Sequence, residues 1–518
     1  MQNQDLAMAR EIAAKVAAAG GRVYFVGGCV RDRLLHQDVK DIDIEVHGVS
    51  VDKLREILDS LGERTEMGAS FGVFGLKHIG LDIAMPRKEQ STGLGHRDFA
   101  VSVDPFIGPK KAAERRDFTM NALMQDVLTG EILDFFGGRD DLERRIIRHV
   151  NDTSYVEDPL RIFRAAQFAA RFGFTIAEET RRLSSEMNAA HLAGERVMGE
   201  LQKALLKAER PSVFFEELRK MNQLSVWFPE TEALIGVLQP AEHHPEGDVW
   251  AHTMQVLDET AALRGQAQHP LWLMLAALCH DFGKAAVTAE EKDGKIHAYG
   301  HEREGVAVAR KFLARITGET KLKSYVLNMV ELHMKPNMMA ECGSGEKSFM
   351  KLYDRSACPE DLLLLAKADH FGRKKTEADR EALAAGYAET EKTLQAMLAL
   401  YRRRMAEPYL MGRDLVEAGV KPGPGFTEAL AIAARQGADT VYLVVHGGTI
   451  MAVMSSLTGK DYFDFNAPNG AGYIIEVEID DAGNVTASNA YDRFCGGLRA
   501  GSDGWRPPRY TPSDRMDR

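Results

Sequence analysis

Long hydrophobic runs and an excess of basic residues are both missing from this sequence. In its 518 residues no apolar stretch approaches the roughly 20 residues that a transmembrane helix requires, so we expect no membrane association. The polar N-terminus is unlike a signal peptide, and the five cysteines include no CxxC pair, which favours reduced thiols and a cytoplasmic location. The formal charge of −11 excludes a uniformly basic surface, although a local basic patch would suffice to bind nucleic acid.

A glycine pair follows the first hydrophobic run of the chain. Residues 23–26 predict a buried strand that ends at Gly27 and Gly28, where the backbone can approach a phosphate closely and present N–H groups to it. Arg31 can add a positively charged fork beside those amides. The pattern therefore predicts a phosphate-binding turn.

Two aspartates follow on the next predicted strand. Asp41 and Asp43 are two residues apart, so they project from the same face of that strand. Two convergent carboxylates are what Mg²⁺ needs when a nucleotide's phosphates supply its other ligands. The ordered combination of glycines and aspartates favours metal-assisted nucleotidyl transfer over two unrelated turns. Asp82, on a later apolar strand, is either a third carboxylate of this site or an ordinary edge acid.

Charged residues precede or open two further predicted helices. Arg115 and Arg116 can clamp the oxygens of a triphosphate, or they form an exposed basic turn. Asp158 and Arg161 are three residues apart on a helix and share a face. An acceptor beside a donor can read the Watson–Crick edge of a base, whereas the simpler interpretation is an ion pair.

A second set of polar residues begins near the middle of the chain. The apolar helix predicted over residues 271–278 ends in His280 and Asp281, an unusual position for two polar groups unless they bind a ligand. Imidazoles and carboxylates together suit a transition metal or Mg²⁺, and the alternative is a group of histidines satisfied within a core. The ordered set is His252, His280, Asp281, His301, His333 and Asp369.

The head motifs, in this order over residues 10–205, resemble the class II tRNA nucleotidyltransferases, which comprise the CCA-adding enzymes and their poly(A) polymerase relatives. The resemblance implies that Asp41 and Asp43 are catalytic and hold the metal. Asp158 and Arg161 would select C or A as a protein template, although Gln167 stands where many relatives carry arginine. The residues implied to bind the nucleotide are Gly28, Arg31, Arg116, Asp158, Arg161 and Arg164.

The histidine set resembles the HD phosphohydrolase superfamily, and Lys284 beside it would contact phosphate or cap a helix. Residues 440–449, with His446 at a strand end, resemble the C-terminal part of histidine phosphatases. Because no Arg-His-Gly motif precedes it, we expect that segment to have a structural role. The metal ligands implied by the HD resemblance are His252, His280, Asp281 and Asp369.

The expected fold is a multidomain α/β and α protein. It comprises a nucleotidyltransferase head with a small mixed sheet (1–150), a helical nucleotide-selecting and tRNA-binding region (151–240), an HD domain with following helices (241–436), and a short α/β segment (437–518). The expected partners are the tRNA 3′ end, CTP and ATP, with Mg²⁺ in the head, a second divalent metal in the HD site and no obligate protein partner.

The expected function is template-independent addition or repair of the tRNA 3′-terminal CCA, together with HD phosphohydrolase activity. A poly(A) polymerase shares every head motif, and CC-only or A-only addition also stays open. The other alternative is an HD phosphohydrolase whose head only binds RNA.

Overall fold

The computed structural model describes residues 2–39, 41–66, 72–91, 99–292, 294–374, 376–406, 472–479 and 485–493. The chain divides into two compact units, Met1–Leu398 and Ala399–Arg518. The first unit contains a head built on a sheet and a helical body, which confirms the expected fold class for these regions. His446 and most of the predicted histidine-phosphatase-like segment lie outside the described residues.

The head is organised around a seven-stranded sheet in the order β3-β4-β5-β2-β1-β8-β9. Strands β2 and β5 are parallel, and the remaining neighbours are antiparallel, so the sheet is mixed as expected. β6 and β7 form a separate hairpin. The strands of the head are β1 (Arg22–Val26), β2 (Ile42–His47), β3 (Arg64–Glu66), β4 (Val73–Leu76), β5 (Leu81–Ala84), β6 (Arg87–Ser91), β7 (Phe99–Val103), β8 (Met124–Asp126) and β9 (Ile132–Leu133).

Short helices connect these strands. Residues 23–26 of β1 are all buried, as the hydrophobic run predicts, and Ser50 caps α3 by accepting a hydrogen bond from the Lys53 amide at 3.2 Å. A 3₁₀ turn covers Thr119–Asn121. The head helices are α1 (Gln2–Ala18), α2 (Gly28–Leu34), α3 (Val51–Asp59), α4 (Pro109–Glu114) and α5 (Gly138–Glu143).

The helical region after the head has α7 at its centre. Gly173, in the left-handed conformation at φ 65°, ends α7, and most of the helix is buried. The strands β10 (Ile146–Ile147) and β11 (Thr175–Ile176) pair in parallel beside it. The helices are α6 (Asp152–Val156), α7 (Leu160–Phe172), α8 (Glu178–Glu186), α9 (Gly194–Lys207), α10 (Ser212–Lys220), α11 (Leu224–Trp227) and α12 (Pro229–Glu232).

The second helical region surrounds α14, in which residues 273–279 are buried. Phe228 packs against both Phe163 of α7 and Phe312, so one aromatic cluster joins the two helical regions. A short hairpin, β12 (Ala289–Glu290) and β13 (Ile296–His297), projects between helices. The helices are α13 (Val249–Leu263), α14 (Pro270–Cys279), α15 (Lys284–Val287), α16 (His301–Ile316), α17 (Thr320–Leu332), α18 (Lys335–Glu341), α19 (Glu346–Arg355), α20 (Pro359–Phe371) and α21 (Arg380–Ala406), with 3₁₀ turns at Arg264–Gln266 and Glu377–Asp379.

One close approach brings two polar segments of this region together. A Cβ on Gly283 would clash with the carbonyl oxygen of His301, so a larger residue would push α16 away. The glycine lets the chain after Asp281 pass directly beside the start of α16. The residue type at position 283 is therefore part of what assembles the histidine cluster.

The second unit is described in part. Its hairpin comprises β14 (Gly472–Ile479) and β15 (Val485–Arg493), which are antiparallel with a register shift at Glu476 and Val477.

Within the described parts of the chain, no helix is both long enough and apolar enough to cross a membrane. Cys29, Cys279, Cys342 and Cys358 are free thiols, and the cytoplasmic location stays a prediction.

Candidate active sites

Carboxylates from two parallel strands meet in a cleft of the head. Asp43 on β2 is the register partner of Asp82 on β5, and both line a cavity of about 370 Å³. Burial, followed by the negative charges of Asp82 and Asp41, raises the pKa of Asp43. Asp82 is therefore an acid of this cleft, which favours the third-carboxylate interpretation over an unrelated edge acid. A cation among these groups would relieve the repulsion between them, so the oxygen donors fit Mg²⁺.

The glycine pair places bare backbone against the same cleft. Gly27 has a φ of 69°, and a Cβ there would lie 3.2 Å from Arg116 Nη1 and 4.0 Å from Asp43 Oδ2. Gly28 begins α2. A side chain at Gly27 would be strained and would enter the space between the arginine and the aspartate. This position, which the sequence treats as equivalent to Gly28, faces the site.

The sequence pattern did not identify Glu45 as a site residue, although Glu45 follows Asp43 by two residues on the same strand face. Its Oε2 lies 3.3 Å from Arg116 Nη2, and its Oε1 accepts a hydrogen bond from His47 Nε2 at 2.8 Å. Burial alone would raise the pKa of Glu45, but His47 and Arg116 lower this pKa below its usual value. The ionised glutamate holds the guanidinium at the cleft wall, where Arg115 and Arg116 are both lining residues.

Arg31 is buried in the structure. Its Nη1 donates to Asn121 Oδ1 at 2.7 Å, its Nε donates to Asp32 Oδ1 at 2.7 Å, and its guanidinium lies 4.7 Å from the Phe172 ring centroid. Through Asn121 and Phe172, Arg31 joins α2 to the 3₁₀ turn and to α7. These contacts account for the side chain structurally, and a nucleotide contact by Arg31 stays a prediction.

Asp158 and Arg161 have separate partners and do not form the ion pair that their spacing allows. Asp158 accepts from Arg196 Nη2 on both oxygens, at 3.1 and 2.9 Å. Arg161 donates through its two terminal nitrogens to the backbone carbonyls of Ser154 and Arg115, the latter at 2.8 Å. Arg196, on α9, is a residue that the sequence does not single out, because its partner lies 38 positions away.

Asp117 connects the arginine pair to α7. Its oxygens accept from Asn121 Nδ2 at 3.0 Å and from Arg164 Nε at 2.7 Å. Burial alone would raise the pKa of Asp117, but Arg164 and Asn121 lower this pKa below its usual value. Gln167, one turn beyond Arg164, is buried, and its Nε2 makes no hydrogen bond within the described residues. Arg164 is therefore a charged partner of a buried carboxylate as well as a predicted nucleotide contact.

The structure brings all six predicted polar residues of the second set together. His252 Nε2 lies 3.0 Å from Asp369 Oδ1, and Asp281 Oδ2 lies 3.2 Å from His280 Nε2. Within this set, two groups have ligand atoms within 4.8 Å of one another, namely His252, His280 and Asp369, and Asp281, His301 and His333. A third such group joins His252 to His244 and Glu246. All six residues are buried.

The histidine rings of this cluster are oriented for metal ligation. His280, His301 and His333 each place Nδ1 within 2.7–2.8 Å of the carbonyl oxygen three residues earlier. Because a carbonyl can only accept, each Nδ1 carries a proton and each Nε2 is left to face the cluster. His301 Nε2 and His333 Nε2 face each other at 3.4 Å. Two ring nitrogens that face each other fit a bound cation better than a satisfied core.

Electrostatics keep His333 and the two carboxyls of the cluster in their ligand forms. Burial, reinforced by His280, lowers the pKa of His333 to about 3, so the ring is neutral. Burial alone would raise the pKa of both carboxyls, but His280 and Lys284 hold that of Asp281 well below its usual range, and Arg373 does so for Asp369. Lys284 Nζ lies 2.7 Å from Asp281 Oδ2, so Lys284 pairs with a candidate ligand. The donor set fits a divalent metal.

Glu246 is a further residue that sequence reasoning missed. Its side chain is fully buried, and its Oε1 lies 2.7 Å from His252 Nδ1 and 2.8 Å from His244 Nδ1. Burial alone would raise the pKa of Glu246, but these hydrogen bonds lower it to about 2. Pro245 and Glu246 lie in the loop that leads to Asp248, the N-cap of α13, and a loop acid carries no sequence signal of its own.

Comparison with known families assigns three stretches of the first unit. Residues 23–148 match the Poly A polymerase head domain, residues 173–235 match the probable RNA and SrmB binding site of polymerase A, and residues 249–374 match the HD domain. The head sheet with its acidic cleft and the buried histidine cluster therefore define a nucleotidyltransferase head joined to an HD domain.

The relatives narrow this class further. A multifunctional CCA protein of Actinobacillus pleuropneumoniae serotype 5b (strain L20) is 39% identical over 365 residues, which is 68% of this chain and 86% of the relative. A multifunctional CCA protein of Pasteurella multocida (strain Pm70) is 38% identical over 366 residues, covering 68% and 84%. This chain belongs to the family of multifunctional CCA proteins.

A solved structure of similar fold is an apo form of a CCA-adding enzyme, with a TM-score of 0.56, 21% identity, and coverage of 84% of this chain and 93% of that one.

Proposed function

We propose that this protein adds or repairs the 3′-terminal CCA of tRNA from CTP and ATP without a nucleic-acid template. The observation that carries the proposal is the head cleft, which is lined by Asp43, Asp82 and Arg116 and approached by the bare backbone of Gly27. Acids for a metal and a cation for phosphate line one cavity. Membership of the multifunctional CCA family supports tRNA as the acceptor.

In the proposed reaction the tRNA 3′-hydroxyl attacks the α-phosphate of the nucleotide and pyrophosphate leaves. Asp41, Asp43 and Asp82 would hold Mg²⁺, which when bound lowers the pKa of the hydroxyl and neutralises developing charge. Arg116, held by Glu45, would contact the phosphates. The amide of Gly28 would donate to a phosphate oxygen. The helical region from residue 151 would carry base selection and the tRNA acceptor end.

Extension of a tRNA that lacks its 3′ end tests this proposal. With CTP alone we expect addition of two nucleotides, and with CTP and ATP together we expect three and then arrest. ATP alone should extend a tRNA that ends in CC by one residue. Long ATP-dependent tails would identify a poly(A) polymerase, and arrest at CC with both nucleotides present would identify a CC-adding enzyme.

Base selection is proposed to depend on the group formed by Asp158, Arg161 and Arg196. Asp158 is one-third exposed and is held by Arg196, so its oxygens have a defined position at the surface. We expect Asp158→Ala to change the ratio of kcat/KM between CTP and ATP by about tenfold or more, which corresponds to ~1.4 kcal/mol. Arg196→Ala should shift the ratio in the same direction by less, because it frees Asp158 without removing it.

The matched control for base selection is Arg181→Ala, which breaks the ion pair of Arg181 with Glu217 on α10 and should leave the ratio unchanged. Arg161→Ala is the informative third variant. If it slows all nucleotides equally with selectivity unchanged, its bonds to Ser154 and Arg115 are its role, and Arg161 is a structural residue.

The HD domain carries a second candidate function, hydrolysis of phosphate esters. The buried cluster supports it, since six ligand-type side chains converge with their Nε2 and carboxylate atoms inward. His252, His280, Asp281 and Asp369 would hold one or more divalent metals, with His301 and His333 beside them. A bound metal supplies a nucleophilic hydroxide at neutral pH. The positive charge of Arg373, 3.5 Å from Asp369, lies next to this cluster and suits a phosphate substrate.

A further inference from the structure

We propose that Glu246 is the positioning residue of the HD metal site: it fixes the tautomer and orientation of His252. This inference rests on the proposed HD metal-dependent function. It assigns to a loop carboxylate a task that backbone carbonyls perform for the other histidines of the cluster.

The contrast among the four histidines carries the argument. His280 and His333 directly follow α14 and α17, so the carbonyls of the last turn lack intrahelical partners and accept from Nδ1. His301 begins α16 and uses the carbonyl of Ala298 in the preceding loop. His252 lies in the first turn of α13, and the residue that its Nδ1 contacts is Glu246, at 2.7 Å.

The hydrogen bond determines which nitrogen of His252 faces the cluster. The Glu246 carboxylate can only accept, so Nδ1 carries a proton. Nε2 points into the cluster at Asp369 Oδ1, 3.0 Å away, and lies 3.8 Å from Asp281 Oδ2. Asp369 also accepts, so Nε2 carries a proton as well in the metal-free protein, and a bound metal would take the place of that proton. The contact with Glu246 therefore sets the orientation of the ring and keeps the proton on Nδ1 when Nε2 binds a metal.

The burial of Glu246 is otherwise difficult to explain. A buried carboxylate is costly unless it is hydrogen-bonded, and the 0% exposed side chain receives its bonds from two imidazoles at a single oxygen. The second imidazole, His244, stands edge-on to His252 at a centroid distance of 4.9 Å. Within the described residues Glu246 Oε2 has no hydrogen-bond partner. The group serves to hold rings in place.

The test measures metal affinity and tautomer directly. Binding of Mn²⁺ to the full-length protein would be followed by calorimetry for the wild type, Glu246→Gln and Glu246→Leu. Loss of such an outer partner typically weakens metal binding by about 10–100-fold, so we expect that range for Glu246→Leu. Glu246→Gln should lose less, because its amide oxygen still accepts from Nδ1. The matched control, Glu242→Leu, removes an exposed acid four residues earlier and should keep wild-type affinity.

A spectroscopic readout separates positioning from general loss of structure. Long-range ¹H–¹⁵N spectra of histidine-labelled protein loaded with diamagnetic Zn²⁺ should show the His252 Nδ1–H tautomer in the wild type and in Glu246→Gln. In Glu246→Leu the signal should shift toward Nε2–H, while the signals of His280 and His333 persist and report an intact fold.

The two layers of the proposal fail differently. If the wild type binds no divalent metal, the HD metal function itself is wrong. If the wild type binds Mn²⁺ and Glu246→Leu matches it in affinity and tautomer, the positioning role is overturned. A third outcome is that Glu246→Leu and His244→Ala each lose one whole metal equivalent while the remaining sites keep their affinity. That result would identify His244 and Glu246 as metal ligands, and it would also overturn the positioning role.

Discussion

We expect Asp43→Asn to abolish nucleotide addition and to lower the single-turnover rate by at least 10³-fold. Asparagine keeps the size of the side chain but removes the charge that would hold Mg²⁺ beside Asp41 and Asp82. A loss of this size corresponds to about 4 kcal/mol of transition-state stabilisation, since each 1.36 kcal/mol is tenfold. The rate would be measured with tRNA that lacks its terminal adenosine and with ATP in excess.

The stability of Asp43→Asn should not fall with its activity. The pKa of Asp43 is raised in the folded protein by burial and by Asp82, so the ionised form costs stability above the unfolded-state pKa. Removing that charge should keep or slightly raise Tm at pH 7. Added Mg²⁺ should raise the Tm of the wild type more than that of the variant, because binding to the folded state stabilises it.

The control for this prediction is Asp52→Asn, an exposed acid in the first turn of α3. It should retain full addition activity. Binding of tRNA, measured by gel shift, should survive in both variants because Asp43 lies in the nucleotide cleft. Asp43→Asn activity within tenfold of the wild type would show that this carboxylate is not a metal ligand.

The second large effect is expected in the HD domain. The double variant His280→Ala, Asp281→Asn removes one residue from each of the two ligand groups. We expect it to lose divalent-metal binding there and at least 10²-fold of any metal-dependent hydrolysis of 2′,3′-cyclic phosphodiesters or phosphate monoesters. Addition of CCA should persist, because the head cleft is built from β1, β2, β5 and the arginine pair.

A matched pair of measurements makes this prediction decisive. Lys284→Met is the control, since it removes the 2.7 Å partner of Asp281 and leaves every proposed ligand in place. It should keep metal binding that the double variant loses. Should the wild type hydrolyse none of these esters with Mg²⁺, Mn²⁺, Ni²⁺ or Co²⁺, the domain would be a metal-binding or structural element without turnover. Parallel loss of CCA addition in the double variant would show that the two functions are not separable.

Local sequence pattern was sufficient for those parts of the sites that lie within a few residues of one another. The alternation of side chains along a strand predicts that Asp43 and Glu45 share a face of β2, whereas Asp41 is exposed and directly precedes that strand. The apolar helix before His280 and Asp281 is buried as predicted, and its end delivers both side chains to the cluster. The family resemblance rests on the spacing of such local motifs, and the comparisons confirm it.

The local sequence pattern did not predict which residues pair with the charged side chains of the sites. The predicted nucleotide contact of Arg31 stays a prediction, and the sequence pattern did not indicate that Asn121 and Asp32 are its partners within the protein. Asp158 and Arg161 have the spacing of an ion pair, yet each pairs with a different residue. The competing partners lie up to 90 positions away, and their proximity depends on how helices and sheet pack.

The family and the two sets of candidate ligands follow from residue spacing, because strand and helix periodicity and motif spacing are local properties. The packing of the chain places Asp82 beside Asp43, Gly27 against the cleft and Glu246 against His252. Each of these depends on which atoms share a small volume. That choice is made by strand pairing, helix packing and the need of buried polar groups for partners.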